Sequence, residues 1–272
     1  MRARLEIGGR AVQVELDRPC DLALPLDPHG GQPRHFGAPT ARAVPLVLGE
    51  FTGAVAQGAS CNCEVLTLVP HCNGTHTECV GHLTREVVHA YRTVPKGLVP
   101  AVLLTVRPER AGATREGTEP EPQAQDELLT RAALERAWPG RTWTQPRAAV
   151  LRTTPNDADK ATRDYSGRAP AYLSREAAEW LCARGIEHLV VDLPSIDREH
   201  DAGRLTAHRV FFGLPPGASE LAAAQRPHAT ITELAFVPDA LADGVYLLEL
   251  QVPAIAGDAV PSRPLLYEVD IA

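Results

Sequence analysis

Apolar residues recur along this chain at two periods, and the segments they mark are interleaved. Leu5 and Ile7, then Val12, Val14 and Leu16, take every second position on either side of Gly8-Gly9. Alternation about a glycine pair predicts a hairpin, because successive strand side chains point to opposite faces. Residues 62–70 (NCEVLTLVP) alternate in the same way and predict a strand. Residues 98–106 (LVPAVLLTV) form the unbroken apolar run expected of a buried strand. Further strands are expected at 147–154, 186–193, 229–236, 245–252 and 264–270. Two segments carry helical signals. Asp126 is expected to cap the helix ELLTRAALERAW, which stops before Pro139. Ser174 is expected to cap REAAEWLCAR, with Ala177, Trp180, Leu181 and Arg184 at helical spacing and Gly185 as its stop. Residues 20–40, rich in Pro and Gly, predict a long ordered loop, and the polar residues 107–125 an exposed one. Strands outnumber helices, so a mixed α/β fold around a large sheet is predicted, as one domain over residues 1–272.

Composition narrows the function. A chain of 272 residues, 44% hydrophobic and 22% charged, is ordinary globular material. It can bury a sizeable core without disulfides or structural metal, so a metal site is expected to serve chemistry. The formal net charge of -7, with no block of Lys or Arg, gives no electrostatic support to a nucleic-acid or membrane partner. The N-terminal stretch has no apolar signal-peptide core, and no run of 18 apolar residues occurs. A cytoplasmic location is expected, with Cys20, Cys61, Cys63, Cys72, Cys79 and Cys182 as reduced thiols. Gly-x-Ser-x-Gly, Walker A and Gly-x-Gly-x-x-Gly motifs are absent, which argues against a serine-nucleophile hydrolase and the common nucleotide folds.

The densest chemistry lies in the stretch from His71 to His82 (HCNGTHTECVGH). Neutral imidazoles with a carboxylate suit Zn, Mn or Fe. His76, Glu78 and His82 share one parity, so an extended strand would turn all three to one face. Any two clustered histidines are more often solvent-facing or satisfied in a core. The fuller His-x-Glu-x-x-x-His spacing, with Gly-Thr before it and His71 beyond, favours a ligand set. A structural zinc on Cys61, Cys63, Cys72 and Cys79 is the other arrangement to weigh, but its spacing fits no Cys-pair framework.

The stretch resembles the His-x-Gly-Thr-His-x-Asp-x-Pro-x-His pattern of kynurenine formamidases and related cyclase-family hydrolases, which Gly74, Thr75, His76 and His82 match directly. VDLPSIDREHDAGRLTAH (191–208) is similar to a second family segment through Asp192, Pro194, Ser195, Asp197 and His208. TITEL (230–234) resembles the strand that carries the family's second glutamate, here Glu233, and VPSRPLL (260–266) its closing turn. The resemblance implies a swivelling β/β/α fold, a barrel-like mixed sheet with peripheral helices, and a homodimer or larger oligomer. It also implies metal ligands at His71, His76, Glu78, His208 and Glu233, one or two Zn or Mn ions, and His82 as proton donor and acceptor. The expected reaction is hydrolysis of a small amide, lactam or related carbonyl substrate by metal-activated water. A degenerate binding protein, or a lyase or dehydratase on the same centre, are the rival readings.

The sequence departs from the family pattern in three places. Glu78 replaces the family's Asp, adding about 1.5 Å of reach. The family's first His falls on Cys72, while His71 lies one residue earlier and would face away on a regular strand unless a bulge near Gly74 restores it; Cys72, whose thiolate binds zinc well, is the competing ligand, and His71 is favoured. Val80 stands where the family has Pro. Asp192 and Asp197 are expected to orient ligands or close loops, and His228 to lie on the surface. Phe36 is the nearest match to the aromatic that formamidases place over their substrate, and Trp138, Trp143 and Trp180 are expected to be packing residues.

Overall fold

The computed structural model describes residues 1–140 and 142–271. Nine strands form its main sheet: β1 (Cys20–Asp21), β2 (His76–Cys79), β3 (Val99–Val106), β4 (Ala148–Thr153), β5 (His188–Val191), β6 (Thr230–Glu233), β7 (Gly244–Gln251), β8 (Ala259–Pro261) and β9 (Arg263–Tyr267). Their spatial order is β8-β2-β6-β5-β4-β3-β7-β9-β1. The four central strands β3 to β6 run parallel, and every outer pairing is antiparallel. The fold is mixed α/β, and the sheet curls into a half-barrel.

Four short helices accompany the sheet: α1 (Ala90–Thr93), α2 (Arg131–Ala137), α3 (Arg175–Ala183) and α4 (Thr206–Phe212). Alternation along the central strands sends Val102, Leu104, Leu151, Leu189 and Ile231 into a core with Leu134, Leu181, Phe211 and Phe212 of the helices. The opposite parity, Ala101, Leu103, Val150 and Val190, packs against Leu22, Tyr246 and Leu248. Both faces of the central strands are thus buried, which accounts for the continuous apolar run at 98–106.

Ser174 caps α3 as expected, its Oγ accepting from Ala177 N at 3.0 Å. The Asp126 cap is corrected. Residues Glu127–Leu129 form a short strand, and α2 starts later, capped by Thr130, whose Oγ1 accepts from Ala133 N at 3.0 Å. Asp126 is instead buried and accepts from Tyr172 Oη at 2.8 Å. The 62–70 strand exists as Glu64–Thr67, but it leaves the main sheet and pairs only with Arg42–Pro45. The hairpin Arg2–Ile7/Arg10–Glu15 is present and takes Val269–Ile271 as a third strand. The loop 107–125 is less exposed than expected, with a short strand Glu109–Arg110 and a buried Ala111. Among the described residues no helix is long and apolar enough to cross a membrane.

Candidate metal centre

Strand register builds the first part of the site. β2 pairs antiparallel with β6, placing His76 opposite Glu233 and Glu78 opposite Ile231. Directly opposed residues share a face, so His76, Glu78 and Glu233 all point to the helix-covered side. Thr77 points to the other side, where its hydroxyl meets that of Thr232 at 2.7 Å. Glu233 ends a parallel strand, so the site lies at the carboxyl edge of the central sheet.

His82 reaches this face by another route than expected. β2 stops at Cys79, and Val80–His82 is a 3-10 turn. That turn brings His82 Nε2 to 4.0 Å from Glu78 Oε2. Gly81 permits it, since a Cβ there would sit 2.6 Å from the Val88 carbonyl oxygen. The parity argument against His71 does not apply either, because residues 71–74 form a turn and Gly74 has φ +73°. His71 Nδ1 lies 3.0 Å from Glu78 Oε2. Cys72 is buried but joins no ligand cluster among the described residues, and neither do Cys61, Cys63 and Cys79.

His208 arrives on the first turn of α4. Its Nε2 lies 2.7 Å from Glu78 Oε1 and 3.6 Å from Glu233 Oε1. Its Nδ1 lies 2.7 Å from Asp197 Oδ2, and Asp197 also accepts the backbone N–H groups of Ala207 and His208. Asp197 therefore both caps the helix and orients the ring. Glu233 is fixed by the Ile196 N–H, 2.7 Å from its Oε1. Asp192 does not take part; it bonds Thr153 and Lys160. His228 is exposed.

The hydrogen bonds select tautomers. His76 Nδ1 faces the Gly74 carbonyl at 3.1 Å, so it carries the proton and leaves the Nε2 lone pair toward Glu233, 3.4 Å away. Asp197 does the same for His208 in its neutral form. Three buried atoms, His71 Nδ1, His76 Nε2 and Glu78 Oε1, have no hydrogen-bond partner of proper geometry despite close neighbours. One donor atom from each of these three residues lies within 4.8 Å of the others, and the same holds for Glu78, His82 and His208. Convergent, unpaired N and O donors fit a divalent cation.

The electrostatics agree with that fit. Glu78 and Glu233 are 1% and 3% exposed, and among the described residues no Lys or Arg pairs with either. Positive charge comes only from protonated imidazoles. Burial would lower His71, but Asp258 and Glu78 outweigh it and push its pKa up to about 10. Burial likewise opposes, and Glu78 and Asp197 more than restore, the His208 proton, which is held well above its ordinary range. Glu78 is held well below the usual carboxylate range against its own burial, by His208 and His82 foremost.

Two residues here escaped the sequence reading. Asp258, just before β8, places Oδ2 2.8 Å from His71 Nε2 and 3.4 Å from His82 Nδ1. Its sequence context, Gly257-Asp258, reads as a turn, and its contacts span some 180 positions. His35 is fully buried with both ring nitrogens unpartnered, Nδ1 standing 4.0 Å from Glu199 Oε1. Burial pushes its pKa down, against the opposite pull of Glu199 and Glu233. Phe36 lies against this ring at a tilt of 42°, with centroids 3.9 Å apart, and is half exposed. Trp138 and Trp180 pack edge to face, with Arg184 over both rings.

The Cyclase family model ("Putative cyclase") matches residues 20–198. The chain belongs to the cyclase family. Its fold is shared with isatin hydrolase A from Labrenzia aggregata, at TM-score 0.58 and 16% identity over 93% of this chain and 94% of that one. Isatin hydrolase A from Ralstonia solanacearum aligns at TM-score 0.56 and 18% identity, covering 92% and 91%. A Bacillus stearothermophilus protein described as a predicted metal-dependent hydrolase aligns at TM-score 0.56 and 15% identity, covering 92% and 98%. No curated protein sequence matches the chain.

Proposed function

We propose that this cyclase-family protein is a metal-dependent hydrolase of a small amide or lactam. The observation that carries this reading is the convergence of unpaired donors from His71, His76 and Glu78 beside His208 and Glu233. His71, His76 and Glu78 would hold one Zn or Mn ion; Glu78, His208 and Glu233 would hold a second where two are present. The ion supplies Lewis acidity and lowers the pKa of water from 15.7 toward roughly 7. Kinship of fold with isatin hydrolases supports a cyclic amide as the substrate class.

The chain's own residues divide the remaining work. Glu78 and Glu233 would supply negative charge to offset the repulsion between like cations where two are bound. Asp197 and the Gly74 carbonyl hold His208 and His76 in the ligating tautomer. His82 is the proton carrier: it is 27% exposed, beside the buried carboxylate of Glu78, and can pass a proton between solvent side and site. Substrate enters from the His71–His82 side, since His76, His208, Glu78 and Glu233 are closed to solvent. The exposed apolar side chains Val44, Val65 and Leu66 on the Arg42–Pro45/Glu64–Thr67 ribbon, with Val47 and Leu48 of the following short hairpin, support self-association, checked by light scattering after gel filtration.

The test is metal analysis of protein purified without chelator, followed by turnover of formanilide and isatin with Zn or Mn added. Metal-dependent ring opening or deformylation supports the reading. Protein that binds neither ion, or that binds one and turns over neither substrate class, contradicts it.

A further inference from the structure

His71 faces two ways. Its Nδ1 looks into the centre at Glu78, and its Nε2 looks outward, 2.8 Å from Asp258 Oδ2. On that outer side His82 Nδ1 lies 3.4 Å from the same oxygen, and the His71 and His82 rings sit 4.2 Å apart with a tilt of 33°. One donor atom from each of His71, His82 and Asp258 lies within 4.8 Å of the others. These three side chains are 24%, 27% and 41% exposed, unlike the buried His76, Glu78, His208 and Glu233. The Asp258 segment is fixed: its carbonyl accepts Cys79 N at 3.0 Å, and the Gly257 carbonyl accepts Ala90 N at 2.8 Å.

Two imidazoles and a carboxylate with an open solvent side are the donor set of a three-ligand zinc site. Zinc-to-ligand distances of about 2.0–2.2 Å put tetrahedral ligands roughly 3.3–3.6 Å apart; the 3.4 Å separation of His82 and Asp258 falls in that range, and the hydrogen-bonded His71–Asp258 pair at 2.8 Å has to open to admit an ion. We infer that His71, His82 and Asp258 form an outer zinc site that shares His71 with the inner centre, and that filling it inhibits the protein.

The inhibition follows from imidazole chemistry. A neutral ring has one lone pair to give. His71 therefore serves the inner ion through Nδ1 or the outer ion through Nε2, one at a time. The outer ion also takes His82 through Nδ1 and ends its proton transfer. Imidazole nitrogen donors select zinc over Mg or Ca, which favour all-oxygen sites. The binding half of this inference stands on the cluster alone; the inhibitory half rests on the proposed hydrolase function.

Equilibrium dialysis against a zinc series, with metal counted by mass spectrometry, tests the binding half. Wild type should show a tight class and one weaker zinc. Asp258→Asn, whose amide oxygen can still accept from His71 Nε2–H, should weaken that second zinc by at least about tenfold and keep the tight class; Asp258→Ala, which also removes the partner of His71, should weaken the second zinc as much and the tight class by less. Rates with and without excess zinc test the other half: the inhibition ratio should collapse toward one in both variants. A wild type with no weaker zinc, or variants that bind it unchanged, would overturn the site. Loss of the weaker zinc in the variants of a protein inert on every amide tested would support the site while contradicting the hydrolase reading.

Discussion

Asp197 binds His208 twice and its neighbour once: its carboxylate takes the His208 ring Nδ1–H, the His208 backbone N–H and that of Ala207. One side chain thus sets both the start of α4 and the aim of the His208 lone pair. Replacing it with Ala removes a helix cap, at a cost of about 0.5–2 kcal/mol. It also frees the ring, and metal affinity is expected to fall about 10–100-fold. Urea unfolding of the metal-free protein reads the first effect and a competitive zinc indicator the second. Unchanged zinc affinity in Asp197→Ala would contradict the orienting role.

Metal affinity is expected to rise with pH. His71 and His208 hold protons above their ordinary 6.5 in the metal-free state, His71 to about 10. A cation must displace those protons, so loading releases them. Calorimetry in buffers of different ionisation enthalpy should show proton release at pH 7.5.

The same shifts set the stability of the metal-free protein. A raised folded-state pKa gives stability that is complete below 6.5 and is lost as pH climbs through about 10 for His71. Glu78 is depressed, so its contribution is present above 4.5 and is lost as pH falls toward its folded value. Metal-free protein should therefore melt at progressively lower temperature from pH 6.5 to 10, and the bound ion should flatten that slope.

His82→Ala is expected to retain metal and lose about 10²–10⁴ in turnover, the usual worth of a positioned acid or base. Metal content by mass spectrometry beside kcat separates this from a ligand role, in which both fall together.

Away from the centre, Lys160 and Asp192 form a buried pair at 2.7 Å, with Lys160 also bonded to Thr153 and Asn156. Lys160→Met leaves the carboxylate buried and uncompensated, at a cost of about 3–5 kcal/mol. Thermal melting should show that loss while zinc affinity stays within a few-fold, because Asp192 touches none of the inner donors.

Much of this was legible in the residue pattern because burial on both faces writes itself as an unbroken apolar run, as in β3, and because α3 carries both its cap and its stop. The start of α2 was misplaced for a physical reason: Leu128 and Leu129 are core residues of a short strand, and apolar pairs at a helix entrance look the same in either state. The segment 62–70 alternates as a strand should, yet Val65 and Leu66 are exposed, since pattern fixes the period of a strand and not what it packs against. The His71–His82 segment was visible as a cluster of possible ligands, but the strand geometry assumed for it held only from His76 to Cys79. His71 and His82 reach the site through turns at Gly74 and Gly81. Asp258 could not be foreseen from spacing, because the pairing of β8 with β2 alone brings it there.

Anomalous diffraction at the zinc or manganese edge, on crystals grown without chelator, bears most directly on the shared-cation centre. The account predicts a peak bounded by His71, His76, Glu78, His208 and Glu233. A map with no peak there, or with its metal on Cys61 and Cys63 instead, would contradict it.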